Sequence, residues 1–122
     1  MAEHFLYIHT HGPEVPHRAA TPFYLATAAA LMEYDVTMVF NMTGTALVRK
    51  GVAESIYAQE GGAPLRTFLD QAVEAGVKLM VCAPSLPLNN MTKEDLIPEV
   101  SEIIGGAYVN EMAAESKAVF TF

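Results

Sequence analysis

Val77-Lys78-Leu79-Met80-Val81-Cys82 runs without a break into Ala83-Pro84-Ser85-Leu86-Pro87, and the fold is decided at this junction. A short apolar run that meets Pro84 and Pro87 reads as a buried strand ending in a turn. Immediately upstream, Leu65, Phe68, Leu69, Ala72 and Val73 recur at helical spacing after Pro64, and Gly76 stops them. A helix feeding straight into a buried strand predicts a parallel sheet with crossover helices.

The alternation continues on both sides. Phe5 to His9 is a compact apolar run bounded by Thr10-His11-Gly12-Pro13, read as a first strand buried on both faces. Thr21 is expected to cap a helix that starts at Pro22 and ends near Glu33. That helix is apolar nearly all round, which predicts burial on two sides, the second being another subunit or, through its small alanines, the same sheet. Val36 to Phe40 reads as the second strand, and Gly44 to Lys50 as a short helix closed by Gly51. Residues 52–63 read as a loop or irregular helix. Thr92-Lys93-Glu94-Asp95 resembles a capping box with Asp in the usual Glu or Gln position, and opens another short helix. A strand over 100–104, a helix over 108–116 and a strand over 119–122 complete the pattern. The expected class is α/β, a parallel sheet with helices on both faces, as one domain over residues 1–122.

Composition removes several functions. The chain has 122 residues, a formal net charge of −7, and 52% hydrophobic against 17% charged residues. Nucleic acid is excluded as a partner, because Lys and Arg cluster nowhere beyond Arg49-Lys50 and phosphate neutralisation needs a basic face. So apolar a surface predicts subunit contacts, hence a homo-oligomer. No stretch approaches the roughly 18 to 20 apolar residues of a membrane span. The start Met1-Ala2-Glu3-His4 lacks the features of a secretory signal, so the expected location is cytoplasmic.

Cys82 is the only cysteine, and it stands at a strand's carboxyl end, where open α/β sheets bind their ligands. An intramolecular disulfide is impossible. The thiol therefore packs as a small hydrophobe, carries a group, attacks a substrate, or pairs with a thiol on another molecule. In Cys82-Ala83-Pro84-Ser85 a serine occupies the position of a resolving cysteine, which favours a carrier over a self-contained redox enzyme. The Ser85 hydroxyl and the N–H groups of Ala83 and Ser85 are candidate donors to a sulfur anion, whereas Pro84 offers none. His11, ending the first strand, is the candidate to share a crevice with Cys82. His9, His11 and His17 invite a metal reading, but no acidic residue or second cysteine completes a ligand set, so no metal or other cofactor is expected. Neither Gly61-Gly62 nor Gly105-Gly106 has phosphate-loop spacing, no serine sits in Gly-x-Ser-x-Gly, and Glu111 with Glu115 reads as a solvated helix face.

Four pieces in order, Thr10-His11-Gly12-Pro13-Glu14, the Pro22-Phe23 start of an alanine-rich helix, Val81-Cys82-Ala83-Pro84 and the Glu115 to Phe122 ending, resemble the DsrE/DsrF-like family over nearly the whole chain. The resemblance implies a three-layer α/β/α domain with a five-stranded parallel sheet of order 4-3-2-1-5, assembled as a homotrimer or homohexamer. It also implies sulfur relay. Members such as the DsrE and TusD proteins carry a persulfide on a cysteine matching Cys82 and pass it to thiol proteins such as TusA-type sulfur carriers, a sulfurtransferase-like role. Two alternatives remain open: an oligomeric binding or scaffold module with a structural cysteine, and a thiol peroxidase-like protein, for which the family's label of predicted peroxiredoxin would rest on Cys82 alone.

Overall fold

The computed structural model describes residues 2–122. Its strands β1 (His4–His9), β2 (Asp35–Phe40), β3 (Lys78–Cys82), β4 (Val100–Ile104) and β5 (Ala118–Thr121) form one parallel sheet in the order β4-β3-β2-β1-β5. Both the α/β class and the strand order are as expected. The helices are α1 (Ala20–Leu31), α2 (Leu65–Ala75), the single turn α3 (Ser85–Leu88) and α4 (Gly106–Glu115).

Handedness distributes them unequally. From β1 to β4 every step moves the same way across the sheet, so right-handed crossovers put α1, α2 and the β3–β4 connection on one face. The return from β4 past β1 to β5 reverses direction and lays α4 alone on the other. Strand side chains alternate between the two. Tyr7, Val36, Met38, Phe40, Leu79 and Val81 pack on the first face with Phe23, Leu47 and Leu69 in a large core. Leu6, Val39, Met80, Cys82 and Ile104 form a smaller cluster on the second, where Met112 is the buried residue from α4 and Val109 and Ala113 pack at its margin.

The start of α1 differs in kind from the sequence reading, while α4 begins two residues earlier than read, at Gly106. Thr21 is not the cap of α1. A 3-10 turn over Pro16–Arg18 passes through Ala19, already in helical geometry, so the helix begins at Ala20 and no side chain caps it. Burial of Ala19 and Ala20 draws this turn onto the core, and Pro22 falls in the first helical turn, where a missing N–H breaks no bond. Within the single chain α1 is buried on one side only: Phe23, Ala26 and Ala29 face inward, while Tyr24, Leu25, Leu31 and Met32 are exposed. The short helix after β2 is a 3-10 segment, Met42–Val48. At the end of α2, Gly76 adopts φ +106, the left-handed conformation that stops the helix and turns the chain into β3. Among the described residues no helix is long and apolar enough to cross a membrane.

Candidate functional site

Cys82 ends β3 with its side chain on the α4 face, paired in register with Ile104 of β4. It is free, buried and only 7% exposed, in the cluster of Leu6, Val39, Met80, Ile104 and Met112. The same strand parity that makes β3 read as a buried run turns its terminal thiol toward the thinner layer of the molecule.

The loop after Cys82 is held by hydrogen bonds to the backbone. The Ser85 hydroxyl donates to the Cys82 carbonyl at 2.6 Å, and Thr45 Oγ1 lies 2.6 Å from Ser85 Oγ. A hydroxyl has one proton, so Thr45 is the donor in that second bond and Ser85 the acceptor. The Ala83 N–H donates to the Ile104 carbonyl at 2.8 Å. Two of the three donors the sequence offers to the sulfur are thus engaged elsewhere, in bonds that fix where Cys82 stands. The Ser85 N–H, in the first turn of α3, has no intrahelical acceptor.

His11 is half-buried just past β1, and its Nδ1 has no protein partner. Since β2 separates β1 from β3, the two strand ends lie about 10 Å apart, and among the described residues no hydrogen bond joins His11 to Cys82. The neighbour of His11 is instead Glu14. Burial alone would raise the Glu14 pKa, but hydrogen bonds from Thr43 and Gly12, backed by His11, outweigh it and hold the carboxyl below its usual value. Two glycines let these loops touch: a Cβ on Gly12 would stand 2.1 Å from the Thr43 carbonyl oxygen, and one on Gly44 2.2 Å from that of His9.

The other histidines have different settings. His9 points to the opposite face from Cys82, fully buried between Phe23 and Phe40, with neither ring nitrogen partnered by protein. Burial, reinforced by His11, pushes its pKa down to about 4. His17 is exposed in the first 3-10 turn. Among the described residues no three His, Cys, Asp or Glu side chains are grouped to hold a metal.

Two features were invisible in the sequence. Thr45 carries no motif, and its role arises only because residues 42–48 pack beside the β3 loop. His4, to which no sequence motif points, bridges three elements: its Nδ1 lies 2.7 Å from Ser116 Oγ and its Nε2 2.9 Å from Thr37 Oγ1. Ser116 spends its own proton on the Met112 carbonyl, so His4 donates from Nδ1. In the neutral ring that burial favours, Nε2 then accepts the Thr37 proton. Burial is the main reason its pKa is lowered, with Lys78 adding to the effect and Asp35 and Glu115 opposing it.

A parallel sheet of order 4-3-2-1-5 with helices on both faces defines a class of small α/β proteins. The sequence matches the DsrE/DsrF-like family over residues 3–122, and the chain belongs to that family, which is tied to sulfur relay. Its fold is similar to that of the YchN protein of E. coli, with a TM-score of 0.79 at 16% identity and both chains covered in full. It is also similar to MTH1491 of Methanobacterium thermoautotrophicum, described as a protein of unknown function, with a TM-score of 0.66 at 14% identity and full coverage of both chains. Among curated proteins no relative matches this sequence.

Proposed function

We propose that this chain is an oligomeric sulfur-relay protein in which Cys82 accepts a sulfane sulfur as a persulfide and hands it to a partner thiol, such as that of a TusA-type carrier. The observation that carries the reading is the location of the single thiol at the carboxyl end of β3, within a family tied to sulfur relay. In loading, the Cys82 thiolate attacks the terminal sulfur of a donor R–S–SH, the donor S–S bond breaks, and R–S⁻ leaves. Unloading repeats the exchange with the partner thiolate as nucleophile, so neither step needs an external oxidant or reductant. A persulfide is more acidic than a thiol, so the loaded sulfur needs little help from the protein to remain an anion. Oligomerisation is supported by the exposed Tyr24, Leu25 and Leu31 on α1 and Met32 just after it, and a homotrimer or homohexamer is the form the family resemblance implies.

The burial of Cys82 favours a second reading, in which the thiol is core packing in an oligomeric binding or scaffold module. One experiment separates the two. Incubation with inorganic polysulfide followed by intact-mass analysis is expected to add the mass of one sulfur atom to the native protein and none to Cys82→Ser. An unchanged mass, together with a native thiol that iodoacetamide cannot reach, would reject the relay and leave the scaffold reading.

A further inference from the structure

On the α4 face, at the opposite end of the sheet from the Cys82 loop, lies a cavity of about 630 Å³. It exists because one helix cannot cover five strands. Its floor is the amino-terminal half of β2 and β3, and α4 forms one wall with Tyr108, Met112 and Glu115. The size is that of a small-molecule site.

Both signs of charge meet there. Lys78, Asp35 and Glu115 all line the cavity, and all three act electrostatically on the His4 ring at its edge. Among the described residues none of the three is in a salt bridge, whereas Lys117 and Glu3, which also line the cavity, pair with each other at 3.0 Å. Two unpaired carboxylates and one unpaired ammonium around one space suit a ligand that carries an ammonium and a carboxylate. His4 is not available to it, since both ring nitrogens are already bonded.

The cavity also leads toward the thiol. Met80 and Met112 line it, and the same two residues belong to the apolar cluster that holds Cys82. Met80 lies two residues before Cys82 on the same strand face, about 7 Å away along β3. Methionine is the most adaptable of core side chains, so this partition can be displaced without moving the backbone.

We infer that the cavity is a donor site for a zwitterionic amino-acid persulfide, of which cysteine persulfide is the simplest, with Lys78 receiving the carboxylate and Asp35 and Glu115 the ammonium. This rests on the relay reading and names its substrate class. The sulfur end of the ligand lies against Met80 and Met112, on the side facing Cys82. The Cys82 thiolate attacks the outer sulfur, the S–S bond of the donor breaks, and cysteine leaves as its thiolate, so charge and sulfur balance with no net oxidation.

The test has two arms. In the first, S-methyl-L-cysteine, which has both charges but no transferable sulfur, is titrated calorimetrically into Cys82→Ser protein. Saturable binding is expected, at least tenfold weaker for N-acetyl-S-methylcysteine, for S-methylcysteine methyl ester, and for S-methyl-L-cysteine with a Lys78→Gln protein. Absence of saturable binding, or equal binding of all three compounds, overturns the site. In the second arm, the rate at which cysteine persulfide loads Cys82 is divided by the rate with inorganic polysulfide, and Lys78→Gln is expected to lower that ratio at least tenfold. An unchanged ratio overturns the donor site while the relay stands. If neither reagent loads Cys82, the relay reading and the donor role fail together, and the first arm still decides whether the cavity binds zwitterions.

Discussion

The two faces of the sheet are built to different depths. On one, α1, α2 and the β3–β4 connection bury Phe23, Phe40, Leu47 and Leu69 completely; on the other, α4 supplies one buried side chain, Met112, over a cluster of five strand residues. The cavity and Cys82 both lie on the thin side. The thick side covers its large side chains completely, whereas the thin side leaves open space beside the cluster that holds Cys82.

Core truncation tests that division most severely. Phe23→Ala is expected to cost about 3–5 kcal/mol, and Met112→Ala about 2 kcal/mol, read from urea unfolding midpoints. Equal losses would erase the distinction between the faces.

Acid sharpens it next, through His9 on the thick side. Unfolded, a histidine titrates near 6.5, while folded His9 titrates at about 4 because burial disfavours its cation. Within that window the unfolded chain binds a proton the native one lacks, so stability is complete above pH 6.5 and declines as pH falls toward 4, by up to roughly 3 kcal/mol. His9→Phe should flatten this part of the stability profile, and a slope as steep as in the native protein would assign the acid sensitivity elsewhere.

A smaller effect is expected on the thin side. Ser116→Ala removes the acceptor of His4 Nδ1 and a tie between α4 and the sheet, at a cost of about 1–2 kcal/mol. Amide exchange in Gly106–Glu115 should quicken while that in Leu65–Ala75 does not, and uniform quickening would mean that the two layers open as one. Smallest is Gly76→Ala, where a side chain must adopt φ +106, at about 1 kcal/mol. This loss belongs to the thick side, so the iodoacetamide rate at Cys82 in folded protein should not change.

Much of the architecture was legible because the core imposes local patterns. The stripe Leu65, Phe68, Leu69, Ala72, Val73 gave α2 and Gly76 gave its end, with bounds close to the observed Leu65–Ala75. Thr92 with Asp95 was also readable: the Asp95 carboxylate accepts the Thr92 N–H at 2.8 Å and opens a 3-10 turn. The start of α1 was misread because Thr21-Pro22 is a good local start signal, whereas burial of Ala19 and Ala20, a long-range effect, set the actual one. The position of Cys82 at the end of β3 was legible in the sequence. The engagement of Ser85 with Thr45 was not, because the two are 40 residues apart and meet only through the packing of adjacent loops. His11 could be placed just past β1, and the strand order that the family resemblance implies already set β2 between it and Cys82.

By itself the sequence determined which segments are strands and helices, that they alternate into a parallel sheet, and that one thiol ends the third strand, since periodicity and turn residues act over a few positions. Only the tertiary structure decided which face that thiol occupies, how deeply it is covered, and that Lys78, Asp35 and Glu115 surround one cavity. Those outcomes depend on the direction of each crossover and on contacts between residues far apart in the chain, and neither leaves a local mark in the order of amino acids.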